Sequence, residues 1–283
     1  MNRIENAFKD KPIFMPYFPL GYPDLETSID VIEALAKNGA DLIEVGLSFS
    51  DPLADGPVIQ KATQVALEKG ITITKSLEAV RELRRRDVRI PLVLMGYYNP
   101  LLAYGLEQFI CDAIEAEADG FIVPDLPFEQ ASEFSSAQSA VEARIDRGKA
   151  ASTANVATSA TSSVQRERLP LIQMLAPTTP NDRMERIARN ARGFIYLVSV
   201  TGVTGERTSI ADGLGALIQR VREHTSVPVC VGFGIGTPEQ ARQVGALADG
   251  VIVGSAAVKT IGESQTPVEA ARQFARSFAG ALR

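Results

Sequence analysis

The chain has 283 residues, 45% of them hydrophobic and 22% charged, with a formal net charge of -5, which suits a folded globular protein and excludes an unfolded tail. Lys and Arg alternate with acids along the helical stretches, so no basic face for nucleic acid forms, and no apolar run reaches the roughly 18 residues of a membrane span. The opening text MNRIENAFKDKPIF lacks the apolar centre of a secretory signal, which points to a cytoplasmic protein.

In chain order, eight apolar runs of strand length recur: IFMPYF (13–18), DLIEVG (41–46), PLVLMGY (91–97), GFIVPD (120–125), LIQMLAP (171–177), GFIYLVS (193–199), VPVCVGF (227–233) and GVIVGS (250–255). They are continuously apolar rather than alternating, as strands buried on both faces of a parallel sheet are. Between them lie amphipathic stretches of helical spacing, among them DLETSIDVIEALAKNG, SLEAVRELRRRD, LEQFICDAIEAEA, DRMERIARNA and PEQARQVGALA. Several begin near an acid or Thr and end near Gly, as capped helices do. Strand then helix, eight times, predicts an α/β fold, a (β/α)8 TIM barrel forming a single domain over residues 1–283, because right-handed crossovers put every helix outside a closed sheet. A doubly wound open sheet is the competing fold. It calls for a glycine fingerprint after the first strand, and YFPLGYPDLE has no G-x-G-x-x-G.

The segment from Ser132 to Arg168 breaks the rhythm. It is rich in Ala, Ser and Thr, and GKAASTANVATSATSSV (148–164) offers no large side chain to a core. We expect a low-complexity insertion over 132–168, largely disordered around 148–164. It lies between the fourth helix and the fifth strand, and so on the N-terminal face of the barrel. A linker between two domains is the alternative, but it would split the strands needed for closure. Cys111 and Cys230 lie far apart without metal-ligand spacing and read as free buried thiols, so no metal site is expected. His224 reads as a favourable charge near a helix C-terminus.

In a barrel the segments just after the strands share the C-terminal face, where this fold places its chemistry. Glu44 sits inside the second strand, among residues that would fill the barrel. A carboxylate there is costly to leave charged and unpaired, and apolar walls raise its pKa toward neutrality, which suits general acid–base work. A buried ion pair with Arg or Lys is the alternative role. The loop SFSDPLADGP adds Asp51 and Asp55, one of which could reach back over the mouth, although each alone could equally cap a turn. After the last three strands come SVTGVTGERTS (199–209), GFGIGTPEQ (232–240) and GSAAVK (254–259). Glycines there let backbone N–H groups approach an anion, and the loops after strands seven and eight, with a short helix N-terminus, are where barrels hold phosphate.

The string EVGLSFSDPLADGPVIQ, with GVTGERT, GFGIGTPEQ and VGSAAVK, resembles the α chain of tryptophan synthase, and the resemblance covers nearly the whole chain outside the insertion. It implies a lyase of L-tryptophan biosynthesis that cleaves indole-3-glycerol phosphate to indole and glyceraldehyde 3-phosphate by a retro-aldol reaction. It further implies no cofactor in this chain and an α2β2 assembly with a tryptophan synthase β chain that carries pyridoxal phosphate. By the same resemblance Glu44 and Asp55 take the two catalytic positions, and Gly205, Gly234, Gly254 and Ser255 take phosphate-contacting positions. Tyr17, Ile59, Met95, Tyr196, Thr204 and Phe233 line or adjoin the indole pocket. Glu44 would move the protons, and Asp55 would accept a hydrogen bond from the indole N–H.

Three features depart from the family pattern. Ser48 stands where proline is common, which would loosen the loop carrying Asp55. The segment before the first strand is short, which would reduce the helix that plugs the barrel's lower end. The insertion has no usual counterpart. A stand-alone lyase that releases indole, and a chain that serves chiefly as an allosteric partner, are the competing roles.

Overall fold

The structure, a computed structural model, describes residues 3–10, 12–153, 169–198, 207–232 and 234–283. Eight parallel strands are present: β1 (Ile13–Pro19), β2 (Ile43–Gly46), β3 (Leu92–Met95), β4 (Gly120–Ile122), β5 (Gln173–Leu175), β6 (Ile195–Val198), β7 (Val229–Gly232) and β8 (Gly250–Val253). They are hydrogen-bonded in the order β4-β3-β2-β1-β8-β7-β6-β5. The ring is all but closed between β4 and β5, where Phe121 N–H donates to Pro170 O at 2.9 Å and Ile172 N–H to Phe121 O at 2.8 Å. The helices are α1 (Arg3–Ala7), α2 (Leu25–Lys37), α3 (Pro57–Glu68), α4 (Ile73–Arg85), α5 (Tyr98–Tyr104), α6 (Leu106–Glu115), α7 (Ser132–Thr153), α8 (Asn181–Asn190), α9 (Arg207–Arg222), α10 (Pro238–Gly245), α11 (Ser255–Gly262) and α12 (Pro267–Leu282). The expected TIM barrel is the fold observed.

Successive strand residues point to opposite faces, and both faces are buried. On β2 and β3 the residues Ile43, Val45, Leu92 and Leu94 pack outward in one cluster with Val31, Leu35, Val80 and Leu83 of α2 and α4. The alternate residues Leu42 and Val93 fill the barrel with Ile13, Met15, Ile122, Ile172, Cys230 and Ile252. The N-terminal segment closes the lower end despite its brevity. Ile4 of α1 is fully buried in this interior cluster, and Phe8, in the 3-10 turn Phe8–Asp10, sets its ring 6.0 Å from that of Phe194.

Strand register is fixed at the lower end by a repeated device. The sequence A-D-G-F-I-V at 118–123 recurs as A-D-G-V-I-V at 248–253 and, more loosely, as A-D-L-I-E-V at 40–45. In each the aspartate precedes an even-numbered strand and accepts an N–H at the start of the odd-numbered strand beside it. Phe14 N–H reaches Asp41 Oδ2 at 2.8 Å, Leu92 N–H reaches Asp119 Oδ2 at 2.8 Å, and Val229 N–H reaches Asp249 Oδ2 at 3.0 Å. The aspartate's own N–H donates back to the carbonyl of the same residue, at 2.9 to 3.0 Å in all three. An arginine then balances each carboxylate: Arg283 on Asp41, Arg84 on Asp119 and Arg222 on Asp249. The middle bracket is the most buried. Both of its side chains are below 10% exposed, and Arg84 also donates to the carbonyls of Val88, Ile90 and Glu117.

Two sequence expectations are corrected. Residues 132–153, read as the start of an insertion, form α7, the crossover helix between β4 and β5; the stretch LEQFICDAIEAEA lies earlier, over α6 and before β4. Phe134 and Val141 are fully buried, and Gln138 Nε2 donates to Leu169 O at 2.7 Å. Phe134, Ala137, Val141 and Ile145, all packed on the core, follow helical spacing inside the Ala- and Ser-rich text. Residues 148–153 continue α7, and the rest of the range expected to be disordered lies outside the described residues. Cys230 is buried as expected, whereas Cys111 is only half-buried, with its thiol 3.9 Å from Glu115 Oε1.

Asp119→Ala should cost about 3 to 5 kcal/mol in urea denaturation, because it leaves the buried Arg84 charge and the Leu92 N–H unpartnered. Arg89→Ala, at an exposed pair with Asp87, should cost no more than about 1 kcal/mol. Similar small losses for both would mean that the aspartate brackets do not hold the barrel together.

Candidate active site

Register carries Glu44 into the barrel. It pairs with Tyr17 on β1 and Val93 on β3, on the inward parity of Leu42, and it is 1% exposed. Among the described residues its Oε1 has no hydrogen-bond partner, and burial pushes its pKa up to about 8. No arginine or lysine pairs with it in the described structure, so the ion-pair role left open by the sequence is not the one observed. Burial thus favours the protonated form of the group.

Two tyrosines flank it. At the next inward position along β2, Gly46 leaves room for the Tyr17 ring, whose Cζ would lie 2.6 Å from any added Cβ. Gly232 at the end of β7 does the same for Tyr196, whose Cζ would lie 2.8 Å from a Cβ there. Any side chain in place of either glycine would displace a ring from the cavity. Burial raises both phenol pKa values, and the nearby Asp55 and Glu44 carboxyls add to the effect, so both remain neutral hydroxyl donors.

Asp55 arrives from the loop between β2 and α3. A tight turn, with Leu53 N–H on Asp51 O at 2.9 Å and Asp55 N–H on Pro52 O at 3.0 Å, folds the loop tip back toward the mouth. Tyr97, in the turn after β3, accepts Ala54 N–H at 2.9 Å and donates its own O–H to Asp55 Oδ2 at 3.0 Å. Burial raises the Asp55 pKa, and the Tyr97 bond opposes the rise. Asp51 stays exposed and accepts from Ser50 Oγ at 2.6 Å. Of the two loop aspartates, Asp55 lines the cavity and Asp51 serves the turn. Ser48 is tied only loosely, its Oγ 3.5 Å from Leu20 O.

The ends of β7 and β8 add glycines and helix N-termini. Gly234 follows β7 with φ +81, a conformation open mainly to glycine, and Gly254 is the N-cap of α11. The two helix N-termini differ. At α10, Gly236 and Thr237 N–H donate to Gln240 Oε1 and Gln240 N–H donates to Thr237 Oγ1, a capping box that uses the helix's own free donors. At α11 no side chain caps the end, so the N–H groups of its first turn remain available beside the cavity.

These parts line one cavity of about 470 Å³, to which Tyr17, Glu44, Asp55 and Tyr196 contribute polar side chains and Gly234, Gly236, Gly254 and Ser255 the loop and helix ends after β7 and β8. Ile59, Met95, Met174 and Ile252 form apolar walls wide enough for a fused aromatic ring. Of the residues singled out from the sequence, Glu44, Asp55, Tyr17, Ile59, Met95, Tyr196, Gly234, Gly254 and Ser255 meet here. Thr204, Gly205 and Phe233 lie outside the described residues. Sequence reasoning passed over Tyr97, whose one visible signal is its place two residues past the third strand, and the wall residues Pro124 and Met174.

Comparison with known proteins agrees with this arrangement. The family model described as "Tryptophan synthase alpha chain" matches residues 4–145 and 153–282. The tryptophan synthase alpha chain of Chloroflexus aggregans is 44% identical over 263 residues, covering 91% of this chain and 89% of that one. That of Geotalea uraniireducens is 42% identical over 281 residues, covering 93% and 90%. Among solved structures, a protein from Aquifex aeolicus superimposes with a TM-score of 0.83 at 36% identity, over 100% of both chains. The tryptophan synthase subunit alpha of Legionella pneumophila gives 0.81 at 35%, over 99% of this chain and 98% of that one. On this combination of sequence, fold and cavity, the chain belongs to the tryptophan synthase alpha chain family.

Proposed function

We propose that Glu44 and Asp55 carry the reaction of this family, the cleavage of indole-3-glycerol phosphate to indole and glyceraldehyde 3-phosphate. The observation that supports the assignment is a pair of carboxyls in one cavity with unlike surroundings: Glu44 buried with its Oε1 unpartnered among the described residues, Asp55 on a loop with a hydroxyl donor. Environments that push two acids apart in pKa mark an acid and a charge stabiliser.

Glu44, protonated at neutral pH, delivers its proton to C3 of the indole, which makes an indolenine cation. The ionised Asp55 accepts a hydrogen bond from the indole N–H and stabilises that cation. The carboxylate left on Glu44 then takes the proton of the glycerol 3′-hydroxyl. The C–O bond becomes a carbonyl, the carbon–carbon bond breaks, and its electron pair returns to the indole ring. Proton and charge are both supplied by side chains, so the chemistry calls for no cofactor in this chain.

The phosphate lies against Gly234, Gly254 and Ser255, at the open N-terminus of α11, where unpaired N–H groups and the helix dipole favour an anion. By family resemblance Gly205 adds to this grip, and Thr204 and Phe233 adjoin the indole. The same reading assigns a β-chain partner carrying pyridoxal phosphate, an α2β2 assembly and a cytoplasmic setting. In its support, M. tuberculosis tryptophan synthase structures superimpose with a TM-score of 0.81 at 30% identity. Leu53, 92% exposed at the tip of the Asp55 loop, offers a partner an apolar contact at the cavity mouth. Among the described residues no helix is long and apolar enough to cross a membrane.

Glu44→Gln should lower kcat by at least about 100-fold, since an amide cannot shuttle the proton, while substrate still binds. In the wild type kcat/KM should fall above pH about 8, as Glu44 loses its proton. Stability gives an independent reading. The folded-state pKa of about 8 exceeds the ordinary 4.5, so folded Glu44 keeps a proton that the unfolded chain loses. Wild-type stability therefore declines as pH rises from about 4.5 to about 8 and levels off beyond. Glu44→Gln should escape this decline, matching wild type near pH 4.5 and exceeding it by a few kcal/mol at pH 8.5. A variant that kept a tenth of the wild-type rate, or a stability that ignored pH in this window, would remove Glu44 from the mechanism.

Gly234→Asp should raise KM well above that of Gly234→Asn, which shares the backbone strain at φ +81 without the charge. Equal KM values for the two variants would place the phosphate elsewhere. Titration with a β chain should raise indole-forming activity. An unchanged rate with the partner demonstrably bound would favour the stand-alone lyase.

A further inference from the structure

The turn after β3 holds a residue that neither sequence motif nor cavity lining assigns. Tyr97 is 5% exposed, and its ring packs against Phe49 with centroids 5.5 Å apart. The two residues before it are held from both sides: Leu47 N–H donates to Met95 O at 2.8 Å, and Gly96 N–H donates to Ile122 O at 3.0 Å. A Cβ on Gly96 would come within 3.0 Å of Leu47, so the glycine lets the turns after β2 and β3 touch. From this fixed base the hydroxyl reaches two consecutive residues of the loop tip, accepting from Ala54 N–H at 2.9 Å and donating to Asp55 Oδ2 at 3.0 Å. A tyrosine hydroxyl has one proton, and here that proton is directed at the carboxylate.

Resting on the proposed function above, we infer that Tyr97 is a positioning residue for the cleavage, a latch that holds the Asp55 loop over the cavity and keeps the Asp55 carboxylate available to the indole nitrogen. The bond engages Oδ2 and leaves Oδ1 for the substrate. It also works on charge. Burial alone would favour a protonated Asp55, and among the described residues the other groups that feel its charge, Tyr17 on β1 and Tyr196 on β6, are not cationic. The Tyr97 hydroxyl is the donor that favours the ionised form, and a protonated Asp55 could not stabilise a cation.

Tyr97→Phe removes the hydroxyl and keeps the ring against Phe49, so the full chain should fold with its melting temperature little changed. Its kcat should fall by roughly tenfold or more, the worth of a hydrogen bond to a charged group, with KM changed much less. The acidic limb of its kcat/KM profile should move upward by about one pH unit, because Asp55 then ionises less readily. A purely packing role would not move that limb. In an Asp55→Asn background the added Tyr97→Phe change should cost little further activity, since the latch acts through Asp55, whereas additive losses would give Tyr97 a separate role and overturn the inference. Impaired Asp55→Asn beside an unaltered rate and pH profile for Tyr97→Phe would overturn the latch alone. Undiminished turnover in Asp55→Asn would overturn the proposed catalytic pair and the latch with it.

Discussion

Strand register is the constraint on which the site depends. In a sheet buried on both faces, a slip of one residue exchanges inward and outward side chains over a whole strand. On β2 such a slip would turn Glu44 out among the helices and bring Ile43 or Val45 into the cavity. The brackets at Asp41, Asp119 and Asp249 oppose this directly. Each satisfies an N–H at the start of one strand with the carboxylate that precedes the next, so strand pairs β1/β2, β3/β4 and β7/β8 are pinned at their lower ends. At the matching place before β6 the sequence reads A-R-G, and no carboxylate is available there. Arginines balance the bracket carboxylates, whereas the carboxyl that faces the cavity has no cation.

That contrast separates structure from chemistry. An arginine beside Glu44 would stabilise the fold and hold the group ionised, which would spoil it as an acid. Leaving it buried without a cation costs stability and raises its proton affinity toward neutrality. The glycines above it serve the same end. Gly46 and Gly232 supply no packing of their own, and they let the Tyr17 and Tyr196 rings occupy the layer between the apolar interior and the mouth.

Much of this was legible in the sequence because its signals are local. Eight continuous apolar runs gave the strands, and a carboxylate inside one of them stood out at once. The capping box at Thr237 is spelled by T-P-E-Q, and the glycines after the last strands are visible as such. Helix α7 was obscured because its buried positions, Phe134, Val141 and Ile145, are diluted by Ala and Ser, so composition spoke louder than spacing. Composition and spacing alone left the choice between Asp51 and Asp55 open for a different reason, and only the family resemblance favoured Asp55. Both precede turn residues, and what separates them is a hydroxyl some forty residues away, reached only once two neighbouring strands bring their turns together.

The identity of that hydroxyl bearer follows from the chemistry on either side of it. A half-buried carboxylate can be kept ionised by a cation or by a neutral donor. A lysine or arginine would do so more strongly, but its positive charge would cancel the field that the carboxylate must present to a developing indolenine cation, and it would repel that cation as well. A phenol hydroxyl favours the ionised form through one hydrogen bond and leaves the net negative charge in place. Tyrosine also brings a rigid ring that fixes the donor from the turn after β3, with Phe49 as its support. On the proposed function the carboxylate of Asp55 thus meets the positive charge that forms, while the uncapped N-terminus of α11 brings backbone dipoles of the sign that an anionic phosphate needs.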